Sequence, residues 1–212
     1  MLPASGGGIT MLWVRKILVQ AAALASAVLI LPCGPAQAAV ELSLYSRELG
    51  SQFPHGFVRI EGTLDRGGER IDASYGFTAT LVSPAILFGS VRGKVEPVGE
   101  GYIRSSDPHF ALTLTDSEYD NVMAAVVRWQ ALRQPSYNLN RRNCVHFVAD
   151  VAASLGMAAE VPRGMARRPR AFLDSLVRTN RAWLQQRAAR ILREPSEERE
   201  ERRGRDPEAD GA

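Results

Sequence analysis

The stretch "YNLNRRNCVHFVADVAASLGM", residues 137–157, places a cysteine at position 144 and a histidine two positions on. A thiolate is a strong nucleophile, and an imidazole is the side chain that takes or returns its proton near neutral pH. Asn143 is a good N-cap residue, so Cys144 is expected in the first turn of a helix. Free backbone N–H groups and the positive end of the helix dipole favour thiolate over thiol there. Cys144, Val148, Val151 and Leu155 share one helical face, with the sulfur at the open end of that face. The expected behaviour is that of a nucleophile of lowered pKa, alkylated by iodoacetamide at about pH 6. The alternative is an inert buried thiol packed as a small apolar side chain.

The base is not given by adjacency. His146 lies two positions from Cys144 and projects from another side of the helix, so its expected role is a hydrogen bond to a neighbouring loop. The chain has three histidines, and the other two head strands: His55 in "HGFVRIEG" and His109 in "SSDPHFALTLT". Spacing leaves both open as partners of Cys144. The three histidines and Cys144 show no recognisable metal-ligand spacing, so no metal or cofactor is expected.

The elements that would position these groups follow from periodicity. "VELSLYSREL", "HGFVRIEGTL" and "RIDASYGFTATL" read as strands, the last two forming a hairpin across the turn "DRGGE". "VRGKVEPV" and "HFALTLT" supply further short strands. Thr115 and Glu118 make a capping box before Tyr119, Val122, Met123, Val126 and Trp129, which recur at helical spacing until Pro135. Gly156 ends the cysteine helix. A basic amphipathic helix is expected within 161–193, running from about Pro169 to Arg193 with Phe172, Leu173, Leu176, Val177, Trp183, Leu184, Ile191 and Leu192 on its apolar side. Strands first and helices afterwards give an α+β class, a small antiparallel sheet with helices packed on it.

"NCVHFV" at a helix start, preceded by a histidine-led hairpin, resembles the circularly permuted papain-like group. That group includes the lecithin retinol acyltransferase-like proteins and is allied to the NlpC-type cell-wall peptidases. The resemblance spans roughly residues 53–157. It implies a papain-like catalytic domain over 39–160, with Cys144 as nucleophile and His55 as base. It also implies a third, orienting group on the next strand, where Asp72 or Ser74 is available. The sequence departs from the acyltransferases in carrying Val145 where they usually have glutamate, and it lacks their second strand-borne histidine. The implied activity is hydrolysis of an amide bond through a thioester. The alternatives are acyl transfer or thioester hydrolysis on lipid or amine substrates, and a non-catalytic envelope-binding module.

The ends bear on compartment. Arg15 and Lys16 precede an apolar run to Leu31 and the alanines of "PAQA", the pattern of a secretory signal over 1–38 with a start at Met11. Cleavage there removes Cys33, one of the two cysteines, and leaves Cys144 alone in an oxidising compartment. The apolar run is too short for a lasting membrane anchor. A periplasmic or secreted location makes peptidoglycan peptides the expected substrates. From Arg163 to Arg181 six arginines face Asp174, so the terminal helix is a candidate for peripheral contact with the envelope. Nucleic acid is not an expected partner, since aromatic and basic residues do not interleave. Residues 194–212, charged and poor in large apolar side chains, are expected to be disordered. Processing is checked by N-terminal sequencing of exported material. The expected first residue is Ala39, and recovery of residues 11–30 would contradict the signal reading.

Overall fold

A computed structural model of the chain describes residues 39–48 and 54–195. The expected signal segment, and the tail beyond Pro195, lie outside the described residues.

Alternating apolar residues build three long strands, β1 (Val40–Arg47), β2 (His55–Thr63) and β3 (Arg70–Ala79). The turn between β2 and β3 needs left-handed backbone, which Gly67 and Gly68 supply at φ 75° and 67°. Shorter strands follow at β4 (Gly93–Glu96), β5 (Asp107–Leu114) and β6 (Arg190–Ile191). All pair antiparallel in one six-stranded sheet of order β4-β3-β2-β1-β5-β6. The helices are α1 (Ala85–Phe88), α2 (Glu100–Arg104), α3 (Asp116–Gln130), α4 (Cys144–Ala153), α5 (Pro169–Thr179) and α6 (Arg181–Gln186). The class is α+β.

Helices α4 and α5 cover one face of the sheet. Leu42, Leu44, Val58, Ile60, Phe110 and Leu112 meet Phe147, Val148, Val151, Phe172, Leu173 and Leu176 in a continuous core. Full burial of such a side chain contributes about 1.5–3 kcal/mol, so this face dominates the fold's stability. The capping box at α3 forms as expected, with Thr115 Oγ1 accepting from Glu118 N and Glu118 Oε2 accepting from Thr115 N. Helix α3 ends before the cis Gln134–Pro135 peptide.

The C-terminal region departs from its expectation as one basic helix over 161–193. It forms two helices and then β6, which pairs with β5 at the sheet edge. Asn180 divides the helices. Its Nδ2 donates to Leu176 O (2.9 Å) and Ala158 O (2.9 Å), and its Oδ1 accepts from Ala158 N at 2.8 Å. A buried amide serving three backbone groups outweighs the weak helical preference at this position. The apolar stripe packs into the core shared with residues 39–160, so the boundary expected at 160 is not a domain boundary. Four of the region's arginines are held by carboxylates, Arg170 and Arg193 by Asp107, Arg187 by Glu118 and Arg190 by Glu41, while Arg163, Arg167 and Arg168 are exposed.

Asn180→Ala strips partners from both Ala158 backbone groups. Leaving them unsatisfied costs about 2–3 kcal/mol. Thermal unfolding should show a fall in Tm of roughly 5 °C or more. An unchanged Tm would mean that water replaces the amide without cost.

Candidate active site

The site begins where β2 and β3 part. Their pairing runs from Thr63↔Arg70 to Val58↔Tyr75 and goes no further. Beyond Tyr75, β3 pairs instead with β4, from Gly76↔Glu96 to Ala79↔Gly93. Residues His55, Gly56 and Phe57 therefore have no β3 partner, and the start of α4 enters the gap. The backbone at Gly56, Val145 and Cys144 itself lies near enough to the Cys144 sulfur to favour its thiolate form. The backbone at Gly56 packs on α4 and α5: a Cβ there would make ordinary contacts, 3.4 Å from Pro169 Cβ and 3.6 Å from Val148 Cγ2.

Asn143 holds the helix start in this place. Its Oδ1 accepts from Val145 N at 3.0 Å and from His146 N at 3.4 Å. Its Nδ2 donates to Leu139 O (2.7 Å) and to Ala166 O. One buried side chain thus caps α4 and ties two loops to it. His146 places Nδ1 at 2.9 Å from the same Oδ1 and lines a groove with Trp129 and Asp150 on another side of the helix, as its position implied.

His55 is the histidine whose backbone adjoins the sulfur, through the peptide that carries the Gly56 N–H. Its ring lies over Gly76, where a Cβ would come within 2.5 Å of Nε2. It stacks near Phe57 at 6.1 Å and meets the edge of Tyr102 at 6.3 Å. His109 is elsewhere and fully buried. Its Nε2 bonds Ser46 Oγ at 2.8 Å and its Nδ1 lies 3.2 Å from Asp174 Oδ1. It braces β5 against α5.

Neither residue expected as third group on β3 serves His55. Asp72 is opposite Glu61, six positions along β2 from His55, and it pairs with Arg59 at 3.3 Å. Strand geometry separates such positions by about 20 Å. Ser74 bonds both the N–H and the C=O of Val98 at 2.9 Å and so fixes a wall of the cleft. The carboxylate whose field reaches His55 is Glu96, which ends β4 opposite Gly76 and is itself paired with Lys94. The sequence marked Glu96 only by its place at a strand end before Pro97. Tyr102 and Tyr137 were equally unmarked. Both phenols are held above their ordinary range chiefly by burial, against the opposing charge of Arg47 at Tyr102.

A cleft of about 500 Å³ opens beside these groups, lined by His55, Glu96, Tyr102, Tyr137, Leu139 and Val82 among others. Among the described residues no cluster of His, Cys, Asp and Glu could hold a metal ion, and no helix is long and apolar enough to cross a membrane.

The electrostatics reverse one expectation. Cys144 is only 5% exposed, and burial pushes its thiol up to about 11, against the opposing pull of the backbone at Gly56, Val145 and Cys144. Burial lowers His55 to about 4, with Glu96 acting the other way. Desolvation of both groups outweighs the helix terminus. The resting pair is a neutral thiol and a neutral imidazole, not the lowered thiol expected from helix position.

Compared with known proteins, the chain matches no family model, no curated protein and no solved structure.

Linkage gives a test of the buried imidazole. The native His55 value lies below 6.5, so the unfolded chain binds more protons between pH 6.5 and about 4. Stability is intact above that window and falls as pH drops through it. His109 and His146, also lowered by burial, share the acid limb. His55→Asn should therefore make the decline of Tm with acid shallower without removing it. An identical acid limb in the variant would show His55 to be solvated.

Proposed function

We propose that the chain is a thiol hydrolase acting on amide bonds through Cys144 and His55. The observation that carries this reading is the packing of the cysteine helix on the head of β2, where the Gly56 backbone acts on the Cys144 sulfur and the preceding residue, His55, lines a cleft. A lone thiol at a helix start, a neutral imidazole and a nearby carboxylate make up the parts of a cysteine–histidine site. The permuted papain-like resemblance of "NCVHFV" and His55 supports the same assignment, and with it a periplasmic or secreted enzyme acting on peptidoglycan peptides.

In this mechanism the neutral His55 takes the thiol proton as the sulfur attacks the carbonyl carbon. Because the thiol ionises only with difficulty, proton transfer and attack proceed together. The amine leaves with the proton from His55, and a thioester remains on Cys144. Water then gives a proton to His55 and attacks the thioester, and the acid departs as the proton returns to sulfur. The N–H of Cys144 at the helix start is available to the oxyanion once the sulfur is acylated, whereas that of Val145 is held by Asn143 Oδ1. Glu96 stabilises the imidazolium formed in each step, the role first sought at Asp72.

The apolar side chains of the cleft favour a second reading. An acyl chain lying against Val82, Ile86 and Leu139 would make the same thioester an intermediate in acyl transfer to an amine or alcohol.

Intact-mass analysis after incubation with a peptide amide and with a p-nitrophenyl acyl ester tests both readings. An acyl adduct on Cys144 is expected, absent in Cys144→Ser. His55→Ala should slow its formation by about 10²–10⁴-fold, the usual contribution of a general base. Glu96→Gln should have a smaller effect. Turnover that survives Cys144→Ser would overturn the proposal.

A further inference from the structure

The segment between β3 and β4 joins two features that are otherwise uncommon on this domain's surface. Residues 80–90, "TLVSPAILFGS", contain no charged side chain. Leu81, Val82, Leu87 and Phe88 are 73%, 60%, 63% and 88% exposed, and the other large apolar side chains exposed among the described residues are Val127 and Leu192. Helix α1 is turned so that Ile86 is buried at the cleft while Leu87 and Phe88, its next two residues, face solvent. The same short element thus forms a wall of the cleft and an apolar prominence at its rim. Solvent exposure of four large apolar groups so close together marks a contact surface.

The second feature is positive charge on the adjoining loop. Val91 and Tyr137 exchange backbone hydrogen bonds at 2.9 Å, and Asn138 Nδ2 reaches Ser90 Oγ at 3.2 Å. This fastens the apolar segment to residues 131–143, a stretch with no carboxylate in its sequence. Arg133, Arg141 and Arg142 are exposed on that stretch, and Arg92 on the segment that follows the prominence. None of the four makes a salt bridge with a described residue, whereas the arginines of the C-terminal region at 170, 187, 190 and 193 all do. These four adjoin the apolar prominence, while Arg70, Arg104, Arg163 and Arg168, also exposed and without a salt bridge to a described residue, lie on other segments.

We infer that this end of the domain docks on an anionic lipid bilayer. Leu81, Val82, Leu87 and Phe88 enter the interface, while Arg92, Arg133, Arg141 and Arg142 lie against the headgroups. Apolar groups ringed by basic ones are the chemistry that an anionic membrane surface selects. A protein partner would need carboxylates around an apolar socket, and it is an outcome of the test below. The docked orientation turns the mouth of the cleft to the bilayer. This inference rests on the surface and holds whether or not Cys144 is a nucleophile.

The test is co-sedimentation of residues 39–212, which contain the whole core, with vesicles. One set holds phosphatidylglycerol in phosphatidylcholine, and the other phosphatidylcholine alone. The expected result is binding to the anionic vesicles and little to the neutral ones. Leu87→Ser with Phe88→Ser, and separately Arg141→Gln with Arg142→Gln, should each lower partitioning by about tenfold or more. All four side chains are exposed, so both variants should melt as the wild type does. Failure of the wild type to sediment with anionic vesicles would overturn the inference. So would undiminished sedimentation of the serine variant, since the apolar prominence would then be a surface for something other than lipid.

Discussion

The close packing of the α4 start on the head of β2 is the constraint on which the site depends, and the Gly56 backbone there favours the Cys144 thiolate. It is possible because β3 leaves β2 after Tyr75 to pair with β4, which frees the backbone at the head of β2. Gly56 faces Pro169 and Val148 at ordinary van der Waals distance, so α4 and α5 pack directly on this part of the strand. Asn143 completes the arrangement by capping α4 and binding the loops at Leu139 and Ala166. Remove the gap between strands and the helix start has no place to pack.

The same burial that fixes the sulfur sets its electrostatics. A helix N-terminus stabilises a thiolate, but its effect is limited to a modest fraction of the cost of desolvating a charge. Burial therefore raises Cys144 and lowers His55, and each group rests in its neutral form. A neutral imidazole is a competent base, and a protonated thiol is less open to adventitious oxidation than a thiolate. In the mechanism proposed above, charge develops only as the bond to sulfur forms, with Glu96 near His55.

Much of this was legible in the residues. The alternation in "VELSLYSREL" and "HGFVRIEGTL", the glycines of "DRGGE" and the capping box at Thr115 each specify local geometry, and each element forms where it was expected. Cys144 at a helix start followed from Asn143 alone. What the sequence could not convey was tertiary. Asp72 looked suitable because it lies on the neighbouring strand, but register puts it opposite Glu61, at the far end from His55. Glu96 comes to His55 through a β3–β4 pairing that no local pattern announces. Asn180 breaks the expected terminal helix through bonds to Ala158, a partner visible only once the chain has folded. The sulfur's ionisation was misjudged for the same reason: a helix position can be read from spacing, whereas burial cannot.

The central claim is that Cys144 is a buried neutral thiol held in the strand gap, and the pH dependence of its alkylation tests this most directly. Iodoacetamide should modify the native chain very slowly at pH 6. The rate should climb through the alkaline range toward an inflection near 11, always below that of the denatured chain. His55→Ala should leave this intrinsic inflection largely in place, because no ion pair with His55 exists in the resting state. A native rate that levels off below the free-thiol value of about 8.5, and that loses this plateau in His55→Ala, would contradict the account and establish a thiolate–imidazolium pair instead.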